Sequence, residues 1–175
     1  MSYHNVIPAR MASERLPGKP LARIGTSTLI ERVWLRAQAA SASSVVIATD
    51  SEEVLAVARS FGADALLTSA RHLSGSDRIG ECADLRGWND GELIVNLQGD
   101  EPLMPAGCLD QVAGLLAAHA EADVASLYDV FADEAAAGDP NAVKVVTDSS
   151  GRALYFSRAR VPYRRGVTGA VTWRR

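Results

Sequence analysis

No stretch of this 175-residue sequence approaches the roughly 18 consecutive apolar residues that a membrane-spanning helix needs, so the expectation is a protein without membrane partners. Its opening residues, "MSYHNVIPAR", lack the basic-then-apolar pattern of a secretory signal, and a soluble, cytoplasmic chain is expected. Cysteine is scarce. Cys82 and Cys108 have no CxxC spacing, which argues against a disulfide framework, a zinc site or thiol redox chemistry and leaves reduced, partly buried thiols. Histidine is equally thin: His4, His72 and His119 are remote from one another in sequence and make no ligand pair, so all three are read as structural. A net charge of -3 argues against wholesale nucleic-acid binding, although the chain from Arg152 onward carries seven arginines and no acidic residue. There is no internal repeat and no low-complexity linker, only the alanine-rich patch at 132–137, which reads as a short helix or loop. Lysine is rare as well, with Lys19 and Lys144 alone among 18 cationic residues.

What is present reads as one ordinary core. With 47% hydrophobic residues over this length, a single domain spanning residues 1–175 is the expectation. Tyr3 to Pro8 is a short apolar strand, residues 28–40 have helical spacing at Leu29, Ile30, Val33, Trp34 and Ala37, and "SVVIATD" at 44–50 is a buried-type strand. Ser51 opens a helix with Glu52 and Glu53 in its first turn, where carboxylates complement the helix dipole, and Phe61 with Gly62 closes it before the short run 65–68. Residues 75–86 read as a helix, "ELIVNL" at 92–97 as a strand and 106–119 as an alanine- and leucine-rich helix. This alternation predicts an α/β fold with a mixed, mostly parallel sheet. Beyond residue 123 the pattern turns more β: "DVASLYDV" and "AVKVVT" read as strands, and the turn cluster "DSSG" joins the second of these to "RALYFSR" as a C-terminal β-hairpin.

Two segments carry chemistry. "IPARMASERLPGKPL" at 7–21 begins where the first strand ends, at the edge where open α/β sheets place their ligands, and Pro8, Pro17 and Pro20 forbid a continuous helix through it. Ala9, Ala12, Ser13 and Gly18 allow close backbone approach, while Arg10, Arg15 and Lys19 supply two planar forks and a compact point charge for anionic oxygens. The residues leave two readings open, a polyphosphate cradle and a surface loop of solvated cations. "LPGKPL" is not a Walker loop, because Lys19 is followed by Pro20 and the upstream glycine is missing. "NLQGDEP" at 96–102 follows an apolar strand and puts Asp100 and Glu101 at the same edge of the sheet. One or two carboxylates suffice for magnesium when a triphosphate completes its shell, and an ordinary strand-to-turn segment is the other reading.

Taken with "ATD" at 48–50, "HLSGSDR" at 72–78, "PNAVKVV" at 140–146 and "ALYFSRARVP" at 153–162, these segments resemble, in order and spacing, the 3-deoxy-manno-octulosonate cytidylyltransferases, or CMP-Kdo synthetases. The resemblance implies a Rossmann-like nucleotidyltransferase fold, CTP and the sugar acid Kdo as substrates, Mg2+ as cofactor, CMP-Kdo for lipopolysaccharide biosynthesis and pyrophosphate as products, and a homodimer at full length. Carried onto this chain it makes Pro8, Ala9, Arg10, Arg15 and Lys19 the CTP phosphate loop, with Ser74, Gly75 and Arg78 in the nucleotide pocket. Gln98 is implied to hold nucleotide and sugar and Asp100 to bind the metal, so that Arg10, Lys19 and Asp100 are the catalytic set, while Arg158 is read either as facing the sugar carboxylate or as solvent-exposed at a dimer edge. For "SGSD" a helix cap by Ser76 or Asp77 is a second role that coexists with the first. Members of that family continue beyond "VTGAVTWRR" with sugar-binding residues and a second metal aspartate in an Asp-Thr-Pro context. The 175-residue chain is therefore expected to be either a fragment of a longer protein or a truncated product, poorly active as it stands. A nucleotide-binding module and a cytidylyltransferase for another sugar acid, such as a sialic acid, are the alternatives.

Overall fold

A computed structural model describes residues 2–12, 16–131 and 133–161, and within it the chain forms two compact units, residues 1–125 and 126–175. The first unit is built on four strands: β1 (Tyr3–Ala9), β4 (Ser44–Thr49), β5 (Asp64–Leu67) and β6 (Leu93–Asn96). All neighbours are parallel, in the order β5-β4-β1-β6. β1 lies at the centre, with Val6 opposite both Val46 of β4 and Asn96 of β6. In chain order the sheet grows outward from β1 to β5 and then returns to the other side of β1 for β6. The reversal of direction falls between β1 and β6, which is where an open α/β sheet leaves a crevice at its carboxyl ends.

Helices cover both faces, as a fully parallel sheet requires. α1 (Leu29–Gln38), α2 (Glu52–Ser60) and α4 (Ala106–Ala118) contribute Ile30, Val33, Leu55 and Leu109 to a core shared with Tyr3, Ile7, Ile47 and Val95. On the opposite face α3 (Gly75–Arg86) packs Ile79 and Cys82 against Val6, Val46 and Ala48. Burying each of the larger aliphatic side chains contributes about 1.5–3 kcal/mol, so this double-sided burial holds the first unit together. The helix starts follow from local chemistry. Thr28 and Glu31 form a reciprocal capping box at α1, and the Ser51 hydroxyl accepts the Val54 N–H at 3.3 Å at α2.

The elements expected at 3–8, 28–40, 44–50, 51–62, 65–68, 75–86, 92–97 and 106–119 are all present within a few residues of those bounds. Two small features were not expected: a 3-10 turn at Lys19–Leu21 and a two-residue hairpin of β2 (Arg23–Ile24) with β3 (Ser27–Thr28). One expectation is corrected. "DVASLYDV" at 123–130 forms no strand beyond an isolated bridge at Val130, and Val124 is 81% exposed. Strand propensity is realised only against a neighbouring ladder.

The second unit carries α5 (Glu134–Gly138) and an antiparallel hairpin of β7 (Lys144–Thr147) with β8 (Ala153–Ser157). The hairpin expected from "DSSG" is present: Asp148 accepts the N–H groups of Ser150 and Arg152, and Gly151 supplies a φ of 89°. Among the described residues the two hairpins pair antiparallel, and the four-stranded sheet itself is purely parallel. Among the described residues no helix is long and apolar enough to cross a membrane.

Candidate active site

The loops leaving β1 and β6 meet at the switch point because Gly99 has no side chain. A Cβ there would lie 2.8 Å from the Pro8 carbonyl oxygen, a distance no real Cβ tolerates. Gly75, the first residue of α3, is nearly as confined, with a built Cβ 3.3 Å from Pro8 Cγ and 3.6 Å from Gln98 Nε2. Three chain segments therefore converge on Pro8 and enclose two joined hollows. A cavity of about 180 Å³ is lined by Pro8, Arg10, His72, Leu73, Ser74, Gly75, Arg78 and Gln98. A second, of about 420 Å³, is lined by Pro8, Ala9, Arg10, Leu16, Lys19, Pro20, Gln98, Gly99 and Asp100. Pro8, Arg10 and Gln98 belong to both, so the two hollows form one bent cleft.

In the larger hollow Lys19 is delivered by the 3-10 turn, which Gly18 opens in a left-handed conformation at φ 69°. Lys19 Nζ donates to Asp100 Oδ2 at 2.5 Å. The cationic loop and the carboxylate past β6, 81 residues apart, thus share one point of the cleft. No cluster of three or more His, Cys, Asp or Glu side chains able to hold a metal ion occurs among the described residues. The half-exposed Asp100 carboxylate, opening on a cleft with cationic walls, fits a hard divalent ion whose other ligands are phosphate oxygens and water.

In the smaller hollow the floor is the N-terminus of α3, whose free N–H groups and dipole favour anionic or acceptor groups. The cap there is Ser74 itself, in place of the expected Ser76 or Asp77: its hydroxyl accepts the Asp77 N–H at 3.1 Å, and the Asp77 carboxylate accepts the Ser74 N–H at 3.0 Å. Hydrogen bonds from the Ser74 hydroxyl and N–H hold the Asp77 carboxyl below its ordinary range. His72 pairs with Glu81, which also accepts the Ser69 N–H at 2.7 Å, and these bonds, the Ser69 one first, lower the Glu81 carboxyl as well. Gln98 is steadied by a 2.9 Å bond from its Nε2 to Asn96 Oδ1.

The structure brings together Pro8, Ala9, Arg10, Lys19, Ser74, Gly75, Gln98 and Asp100 in this cleft. Arg15 lies outside the described residues. Arg78 lines the smaller hollow, yet its guanidinium donates to Asp50 at 2.7 Å and also bonds Thr68. Arg158 belongs to the second unit, where its guanidinium donates to the carbonyls of Pro140 and Asn141 at 3.1 and 3.4 Å. Asp50 and Asn96 were not singled out in the sequence. Each follows or ends an apolar strand at the same sheet edge as Asp100, and that position is the signal that could have found them.

The cytidylyltransferase family model matches residues 5–170. The chain is 51% identical over 174 residues to a 3-deoxy-manno-octulosonate cytidylyltransferase of Thioalkalivibrio sulfidiphilus, covering 99% of this chain and 70% of that protein. It is 47% identical to the enzyme of the same name from Saccharophagus degradans, over 94% of this chain and 65% of the relative. Among solved structures it superposes on a CMP:2-keto-3-deoxy-manno-octonic acid synthetase complexed with CTP with a TM-score of 0.90 at 34% identity, covering 99% of this chain and 70% of that one. A 4-diphosphocytidyl-2C-methyl-D-erythritol synthase, with a TM-score of 0.59 over 90% of this chain and 69% of that one at 14% identity, shares the fold. The chain spans 63 to 70% of the length of the curated relatives it matches.

Proposed function

This chain belongs to the cytidylyltransferase family, and from that premise we propose that it transfers CMP from CTP to 3-deoxy-D-manno-octulosonate with release of pyrophosphate. The observation that carries this reading is the meeting of Lys19 with Asp100, which puts a phosphate-seeking cation and a metal-seeking carboxylate in one cleft at the switch point. The sugar acid's anomeric hydroxyl attacks the α-phosphorus in line with the leaving pyrophosphate, so the protein's task is to position two anions and offset charge. Lys19 and Arg10 stabilise the charge moving onto pyrophosphate, and Arg15 joins them in this reading. The smaller hollow takes the base against Ser74 and Gly75, and Gln98 reaches nucleotide and sugar from the wall shared by both hollows. Magnesium, held by Asp100 with phosphate oxygens, would supply further positive charge at the reacting phosphate. On the same reading the intact enzyme is a cytoplasmic homodimer that serves lipopolysaccharide synthesis.

Pyrophosphate release across CTP, UTP and GTP, paired with Kdo, a sialic acid or a sugar 1-phosphate, tests the assignment. The expected result is turnover with CTP and Kdo alone, and a preference for UTP or GTP overturns it. Lys19→Ala is expected to weaken CTP binding at least about tenfold, since it removes a charge-assisted bond. CTP binding without turnover by the 175-residue chain would identify it as a nucleotide-binding module.

A further inference from the structure

Asp50, directly after β4, touches neither hollow, yet it joins the two segments that form them. Its Oδ1 accepts the N–H of Met11, the residue after Arg10 in the loop from β1, at 3.1 Å. Its Oδ2 accepts Arg78 Nη2 of α3 at 2.7 Å. Arg78, with a side chain only 3% exposed, reaches further with Nη1, donating to Thr68 Oγ1 and to the Ser69 carbonyl at 3.5 Å. Thr68 Oγ1 in turn donates to the Thr49 carbonyl at 3.1 Å. One carboxylate and one guanidinium thus tie together the loop after β1, the ends of β4 and β5, and the second turn of α3. The planar guanidinium suits this work because its donors leave in fixed directions toward several partners.

We propose that Asp50 and Arg78 are positioning residues that hold the phosphate loop and the base pocket at the spacing a single nucleotide needs. The inference rests on the CTP reading above and deepens it. The chain from Arg10 to Met11 is short and Pro8 packs against Gly75, so a displacement of Met11 moves Arg10 relative to Ser74 and Gly75, across the bend of the cleft. A ligand that engages one hollow does not sense that spacing. A ligand that bridges both does.

That difference defines the experiment. CTP, cytidine and inorganic tripolyphosphate are titrated into the 175-residue chain and into Asp50→Asn, which keeps an oxygen for the Met11 N–H but removes the charge facing Arg78. The expected result is CTP affinity lowered about tenfold with cytidine and tripolyphosphate each unchanged within about twofold, because the loss lies in their coupling. Should Asp50→Asn fail to fold around its uncompensated arginine, Asp50→Glu, which keeps the charge but displaces the oxygen that holds the Met11 N–H, is expected to show the same selective loss. A parallel fall of cytidine or tripolyphosphate overturns the proposal in favour of direct ligand contact or general loosening. Unchanged CTP affinity in a folded variant overturns it in favour of a role in the fold alone. Failure of the wild-type chain to bind any of the three overturns the nucleotide reading, and this inference with it.

Discussion

Arg78 in the first unit and Lys144 in the second are the cationic side chains that lie almost wholly buried among the described residues, at 3% and 1% exposure, and they are satisfied in opposite ways. Arg78 meets a carboxylate and reaches across strand ends to Asp50 and Thr68. Lys144 is held by backbone instead: its Nζ donates to the carbonyls of Asp139, Ala142 and Arg158 at 2.8, 2.9 and 2.7 Å. Three acceptors around one nitrogen require three N–H donors, which only the ammonium form supplies. The difference follows the architecture. In the first unit strong packing fixes the strands, so a buried ion pair is free to hold functional loops in register. Among the described residues of the second unit, a hairpin with a five-residue helix has little core beyond Phe131 and Ala137, and its buried cation does the joining that packing does elsewhere. An isolated two-stranded hairpin is marginal in water, so that joining is needed.

The largest expected effect comes from removing that joint. Lys144→Met keeps the length of the stem but leaves three carbonyls without their donor, which costs about 3 kcal/mol. The loss should be local. Amide exchange is expected to accelerate through Lys144–Thr147 and Ala153–Ser157, while Tyr3–Ala9 and Ser44–Thr49 keep their protection. A uniform loss across both units, or none, would show that the contrast between them is wrong.

How much of this was legible follows the same divide. Elements with local start and stop chemistry could be read directly: α3 runs over the expected 75–86, although its cap is Ser74 and not the expected Ser76 or Asp77. The cleft was legible in outline because prolines forbid a helix after β1 and because Lys19 and Asp100 each follow an apolar strand. The run at 123–130 was misread because alternation of apolar residues describes a face and does not supply a neighbouring strand. The Asp50 hub was missed because its bonds span 28 and 39 residues, and no local pattern marks such a pairing. Residues 23–28 were passed over for another reason: strands of two residues are too short to show a period.

A smaller effect separates the closed unit from the open one. Cys82 is wholly buried on the inner face of α3, and burial pushes its thiol up from 9.0 to about 11. Since the raised value favours the neutral thiol in the folded chain, its contribution to stability is whole below the unfolded value near 9 and is lost as pH rises from there toward 11. At pH 8 the half-buried Cys108 is expected to be alkylated first, and Cys82, buried and with its thiol held neutral, much more slowly. In Lys144→Met the protection of Cys82 should persist. Labelling of Cys82 at the rate of Cys108 would mean that the first unit opens far more readily than its packing implies.

The smallest expected effect concerns the apolar surface of the hairpin. Leu154 and Phe156 are 64% and 57% exposed on β8, where the ladder is irregular at Leu154, and Phe156 sits opposite Val145 across it. Phe156→Thr introduces a β-branched residue suited to a strand and gives up one cross-strand contact of a few tenths of a kcal/mol, within the range of about ±0.5 kcal/mol typical of surface changes. Stability should barely move. Association should move more, because exposed apolar side chains at neighbouring positions drive contacts between molecules. Light scattering over a concentration series is expected to show weaker self-association for Phe156→Thr than for the unchanged chain, at an equal melting temperature. A fall of more than about 2 kcal/mol would place Phe156 in a packed core and remove the distinction between a closed first unit and an open second one.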